Sequence, residues 1–251
     1  MWLSQNGLVI NPDRTSQRLF STAQRSRISP LDLASADVAG SVIPFSKSVK
    51  ILGVTLDPHL TFNKHVDQIC SSAHYHIRSL RHIRSSLTPE MARTIGGALV
   101  GSRFDYSNSI LFGVLAANLT KLQRAQNSLA RVVTCTGRHD SITPVLKQLH
   151  WLPIRYRIRF KLATVVFKTR STGMPPYLRS LITEYRPARD LRSSGQHLLE
   201  QATCRTVFGR RSFRQASASV WNDLPTAIRS TESLARFKVA LKTHLFGLAF
   251  A

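Results

Sequence analysis

Three features of the chain predict an α-dominant α+β fold. The apolar spacing changes from a period of 2 to one of 3.6 near Thr61, turn-forming clusters separate the segments, and 43% of the 251 residues are hydrophobic, enough to bury a core. Strands are expected over the first 60 residues or so and helices thereafter.

In chain order, Met1 to Asn6 reads as the end of a helix stopped by Gly7, Asn11-Pro12-Asp13 as a turn, and Thr15 to Phe20 as a short strand. Residues 21–41, rich in Ser, Ala and Asp, read as a loop. Val49 to Asp57 is β-branched and apolar and runs into Asp57-Pro58, which is a strand ending in a turn. From Thr61 the residues Phe62, Val66, Ile69, Ala73, Ile77, Leu80, Ile83 and Leu87 step by three or four, one apolar stripe on a helix of about seven turns. Thr88-Pro89-Glu90 places an N-cap before a proline at the first helical position and opens a second helix through Val100. A third spans Asn118 to Val133 with Leu119, Leu122, Gln126, Leu129 and Val133 inward, and a fourth spans Ile154 to Lys168. A fifth covers Thr231 to Phe246, its stripe formed by Leu234, Phe237, Leu241, Leu245 and Leu248. Between the last two lie Pro175-Pro176 and a Ser/Arg-rich stretch with weak strand or loop signals. Three segments follow: 1–60, 61–135 and 136–251.

Charge narrows the function. The chain holds 35 Lys and Arg against 13 Asp and Glu, a net +22, and 26 of the 35 are Arg. Such an imbalance strains a compact state by self-repulsion, and a polyanion relieves it: nucleic acid first, an anionic membrane surface second. The bias to Arg favours phosphate forks and base stacking. No stretch is long and apolar enough to span a membrane, and the start of the chain lacks the pattern of a signal peptide, so an intracellular protein of nucleus or cytoplasm is expected. Cys70, Cys135 and Cys204 are too far apart for a paired motif and read as small core residues.

Catalytic patterns are sparse. Phosphoryl transfer on two metal ions needs converging carboxylates, and no two acidic residues are adjacent in this chain. His74, His76 and Asp67 do not form a metal set, since His74 and His76 lie about 200° apart on a helix. Basic faces carry more information. Arg78 and Arg81, continued by Arg84, flank the stripe of the first long helix; Lys121, Arg124 and Arg131 do the same on the third; Arg155, Arg157, Arg159 and Lys161 crowd the fourth. Solvated faces normally mix signs and these hold almost no acids, so phosphate contact is expected.

Several blocks in order resemble the C-terminal part of the reverse transcriptases of non-LTR (LINE, jockey-like) retrotransposons, over nearly the whole chain. Trp2-Leu3-Ser4, Leu8 and Asn11 to Thr15 resemble the palm segment after the catalytic aspartate pair; Val49 to Asp57, centred on Leu52-Gly53-Val54, resembles the strand hairpin that grips the primer end. Leu122 to Asn127, Leu149-His150-Trp151-Leu152-Pro153, Pro176-Tyr177-Leu178, Leu191-Arg192-Ser193, Trp221 to Pro225 and Phe237-Lys238 resemble the thumb and the region beyond it. Trp151 and Trp221, among Leu and Pro neighbours, are expected to plug cores.

The resemblance implies a remnant of a polymerase palm sheet over 1–60, a helical thumb-like domain over 61–135 and a basic, mainly helical segment over 136–251. It implies RNA or an RNA–DNA hybrid as partner, with Arg14, Lys50, Leu52 and Gly53 joining Arg78, Arg81, Lys121, Arg124, Arg131, Arg155 and Arg159 as contacts. The family's catalytic aspartates would precede Met1, so this chain is expected to be inactive alone and to hold no cofactor, Mg²⁺ belonging to the intact enzyme. At Arg14 the family usually has Lys, assigned to donate a proton to pyrophosphate; Arg binds the charge but scarcely deprotonates. The other readings are part of an active reverse transcriptase cut short by gene modelling, and a stand-alone basic RNA-binding structural protein.

Overall fold

Val49 to Asp57 alternates apolar and polar residues around Leu52-Gly53, and in the computed structural model it folds back on itself. The structure describes residues 5–6, 11, 15–21, 35–38, 41–187 and 197–251. Strand β3 (Val49–Ile51) pairs antiparallel with β4 (Val54–Leu56), Val49 opposite Leu56 and Ile51 opposite Val54. The two loop residues have φ of 47° at Leu52 and 82° at Gly53, as a tight hairpin with right-handed strand twist requires. Glycine takes that conformation freely, whereas Leu52 is strained there. The single strand read from the residue pattern is therefore a hairpin, the form implied by the segment it resembles.

A second hairpin, β1 (Ser35–Val38) with β2 (Ser41–Pro44), occupies part of the segment read as loop. Its short strands lack the β-branched runs that sequence patterns detect. The strand expected over Thr15 to Phe20 reduces to one bridge, Gln17 to Phe45. The expected helix end at Met1 to Asn6 lies mostly outside the described residues.

Two compact units form, Met1–Gln68 and Ile69–Ala251, with the boundary inside helix α1 (Asn63–Ile83). In the first unit Ile43, Val54, Phe62 and Val66 are buried. The entry to α1 is built by Asp57, whose carboxylate accepts from the backbone N–H groups of His59, Thr61 and Phe62 and from the Thr61 hydroxyl. Burial raises its pKa, but these four hydrogen bonds outweigh burial and hold it below the usual carboxylate value.

The second unit is helical. Past α1 and a 3₁₀ turn (Arg84–Ser86) comes α2 (Pro89–Gly96), capped by the Thr88 hydroxyl accepting from Met91 N–H at 3.2 Å. The helix does not stop at Val100. It widens into a π-turn (Gly97–Gly101) and continues as α3 (Ser102–Asp105). Gly96 permits the close approach of α4 (Ala116–Thr134): a Cβ there would sit 3.0 Å from Val133 Cγ2 and 3.2 Å from Leu129 Cδ1. A 3₁₀ turn (Asn108–Leu111) joins α3 toward α4, and α5 (Ile142–Gln148) follows.

Helix α6 (Ile154–Thr172) forms the hub, packed by α4, by the Asn108–Leu111 turn, and by α9 (Phe213–Asn222) and α11 (Leu234–Phe250). Short turns α7 (Pro176–Arg179), α8 (Val207–Arg210) and α10 (Thr226–Arg229) connect them. The core centres on Phe237, stacked on Phe167 at 4.3 Å and on Trp221 at 5.8 Å between ring centres. Trp221 is fully buried and its Nε1–H donates to His197 O at 2.8 Å, which satisfies the one polar atom of the ring. Arg229, buried beside it, donates to the carbonyls of Asn222 and Leu224 and to the Thr226 hydroxyl; burial and the nearby charge of Arg170 lower its pKa.

Several expectations are corrected. Helices α5 and α9 were not read from the sequence; α9 carries Ser217, Ser219 and Gln215 among its apolar residues, which blurs the period. Ile83 and Leu248, placed on buried stripes, are 50% and 51% exposed. None of the three cysteines is a core residue: Cys135 is exposed, with φ of 57° as the left-handed residue ending α4, and Cys70 and Cys204 are half-buried. Among the described residues no helix is long and apolar enough to cross a membrane.

Candidate nucleic-acid interface

The expected contacts divide by what holds each side chain. On α1, Arg78 and Arg81 are exposed one turn apart, and no hydrogen-bond partner for either guanidinium is found among the described residues. Arg84, the next step of that line, is turned inward. It donates from Nε to Val132 O at 3.1 Å and Val133 O at 3.0 Å, from Nη2 to Val133 O at 2.9 Å, and from Nη1 to Leu87 O at 2.8 Å. The last carbonyls of α4 have no intrahelical partners and carry the negative end of the helix dipole, so a guanidinium there is a cap.

On α4, Lys121 and Arg124 are exposed, whereas Arg131 is half-buried and tied to the loop that follows. Its guanidinium donates to Gly137 O and, at 2.8 Å, to Asp140 O. On α6, Arg155 is exposed, but Arg159 pairs with Asp223 and Arg157 pairs with Asp105, so two of the crowded basic residues serve ion pairs instead. Lys50 is exposed on β3, with Leu52 and Gly53 at the hairpin tip, and Leu52 is 86% exposed. These three belong to the first unit. Arg14 lies outside the described residues.

Within the second unit the ends of α1 and α4 enclose a cleft of about 620 Å³. Arg81, Arg84, Arg131 and Arg138 line it with Ser128 and Thr136, and no carboxylate is among the lining residues. Arg84 and Arg131 are held by backbone carbonyls, while Arg81 and Arg138 are exposed and have no partner among the described residues. Arg81 and Arg138 offer N–H donors that suit the oxygens of a phosphate, and Arg84 and Arg131 add positive charge beside them. Arg138 was not singled out from the sequence: it stands in an irregular loop, and only the return of that loop toward α1 brings it to the cleft.

The blocks that carry the family resemblance have visible packing roles. Gln123 Oε1 accepts from Ile154 N–H at 2.9 Å and so caps α6, and Gln126, buried, donates from Nε2 to Leu152 O at 2.9 Å. Asn222 uses both ends of its amide on the backbone of Leu199, accepting at 2.9 Å and donating at 2.8 Å. Tyr177 is exposed, Trp151 only half-buried, and Leu191-Arg192-Ser193 and the blocks Trp2-Leu3-Ser4 and Leu8 lie outside the described residues. Among the described residues no three His, Cys, Asp or Glu side chains are placed to hold a metal ion. Comparison with protein families, with curated proteins and with solved structures finds no match to this chain.

Proposed function

We propose that the chain binds the phosphate backbone of RNA or an RNA–DNA hybrid, as the template-holding C-terminal part of a non-LTR retrotransposon reverse transcriptase, and performs no chemistry alone. The observation that carries the reading is the cleft at the ends of α1 and α4, where Arg81 and Arg138 are exposed beside the carbonyl-held Arg84 and Arg131 and no carboxylate is among the described lining residues. The exposed Arg78, Lys121 and Arg124 extend the same sign of charge along those two helices. A net charge of +22 supports a polyanionic partner. Contacts of this kind neutralise phosphates without touching base edges, so affinity follows charge and not sequence.

Each duplex phosphate neutralised contributes about 0.9 to the slope of log affinity against log salt. Replacing Arg81 and Arg138 together by Ala is expected to flatten the slope on an RNA–DNA hybrid by about 2 units if each makes one contact. Arg131 is unsuitable for this test because it also closes the 137–140 loop. A slope equal to that of the unaltered chain overturns the proposal.

A further inference from the structure

The second unit contains another pocket, of about 440 Å³, where the Asn108–Leu111 turn, the segment before α6, and helices α6 and α11 meet. That volume lies in the range of about 300–1,000 Å³ usual for small-molecule sites. Its only carboxylate, Asp105, is already neutralised: Arg157 holds both oxygens, Nε to Oδ1 at 2.9 Å and Nη2 to Oδ2. Asn108 lines the pocket and is 2% exposed. Its Nδ2 reaches toward Asp105 Oδ1 at 3.4 Å, the only orientation chemistry allows, since an ionised carboxylate can only accept. The amide Oδ1 is left buried with no hydrogen-bond partner among the described residues. That oxygen has no accessible surface, so the groups that meet a ligand are the other side chains of the pocket.

The rest of the lining defines the ligand further. Trp151 and Phe160 present aromatic rings, and neither makes a ring–ring contact among the described residues. Lys161 and Lys242 are exposed at the same pocket, on α6 and α11, without a hydrogen-bond partner among the described residues. A flat ring joined to an anion satisfies both sets of groups at once.

We infer that this pocket takes one nucleotide: its base lies against Trp151 and Phe160, and its phosphate meets Lys161 and Lys242. The same chemistry is offered by a free nucleoside monophosphate and by a single unstacked nucleotide of a strand. The site goes beyond the backbone grip at α1 and α4 and shares no residue with it.

Calorimetric titration of the full chain with AMP, adenosine and the oligonucleotide (dA)₅ tests the inference. Lys161→Ala with Lys242→Ala is expected to weaken AMP by about tenfold or more and leave adenosine unchanged, because only the phosphate contact is removed. Trp151→Leu is expected to weaken both by about tenfold, since base–aromatic stacking is lost. The lysines are exposed, so their replacement leaves the core intact and keeps the test valid if the tryptophan variant fails to fold. Equal affinity for AMP and (dA)₅ identifies a free nucleotide as the ligand; much tighter (dA)₅, weakened by the same variants, identifies a nucleotide within a strand. Failure of both probes to bind, or affinities untouched by the lysine pair, overturns the inference. The salt slope on the hybrid separates the two sites: loss of AMP binding with the slope retained removes the pocket alone.

Discussion

At Arg84 one guanidinium satisfies three backbone carbonyls, those of Leu87, Val132 and Val133. Charge-assisted hydrogen bonds of this kind are worth about 1.5–3 kcal/mol, so Arg84→Met, which keeps much of the stem, is expected to lower the unfolding free energy by about 2 kcal/mol in denaturant melts. Arg84→Lys should recover little, because an ammonium cannot fork over carbonyls at two places. His65 makes a residue-scale prediction of opposite chemistry. Its ring is buried, Thr55 N–H reaches Nδ1 at 3.5 Å, and Nε2 has no partner among the described residues; burial holds its pKa below the ordinary 6.5. The unfolded chain therefore binds the proton more readily than the folded one. The contribution of His65 is full above the ordinary histidine pKa and is lost as pH falls through it toward the lowered folded value. Amide protection factors over residues 49–68, which divide out the intrinsic pH dependence of exchange, should fall as pH drops below the ordinary histidine value, and His65→Phe should remove most of the change. Protection factors in the unaltered chain that do not change with pH count against this role.

Helices carry the second scale. The first turn of α6 follows Pro153, which offers no side-chain cap, and the cap comes from Gln123, 31 residues earlier on α4. Gln123 also donates to Gln126 at 3.0 Å and Asn127 at 2.8 Å, so one amide orders the surface of α4 that meets α6. Gln123→Ala is expected to cost about 1 kcal/mol, the usual worth of a cap, measured as a fall in melting temperature. Gln123→Glu restores the acceptor but gives up both donations, and should fall between the two; a variant as stable as the parent would show the cap to be idle. The long helices were legible in the sequence because their stripes repeat every three or four residues over many turns: α1, α4, α6 and α11 all lie near their expected places. Hairpin β1–β2 was not, since Ser-Ala-Asp-Val and Ser-Val-Ile-Pro are too short and too mixed to show an alternation.

Across the whole molecule, charge and carboxylate supply set what the chain can do alone. Two-metal nucleotide transfer needs convergent acids; no two of the 13 here are adjacent in sequence, and among the described residues Asp105, Asp223 and Glu184 are each paired to an arginine. The isolated chain is therefore expected to extend no primer on an RNA template in Mg²⁺ or Mn²⁺; incorporation above a blank preparation would refute this. The basic imbalance, the buried stripes and the N-cap at Thr88 were decided by residue type and spacing, which act locally and need no fold to be read. Which arginines remain available was decided by tertiary structure. Arg78, Arg81 and Arg84 look alike along one helix, yet Arg84 meets the end of α4 and is consumed there. Likewise Trp151 and Trp221 share apolar neighbours in sequence, but only Trp221 finds Phe237 across the core, while Trp151 is left at the mouth of a pocket. The reason is geometric: a side chain's partners come from other elements, 48 residues on for Arg84 and Val132 and 16 for Trp221 and Phe237, and periodicity along one helix carries no information about where those elements return.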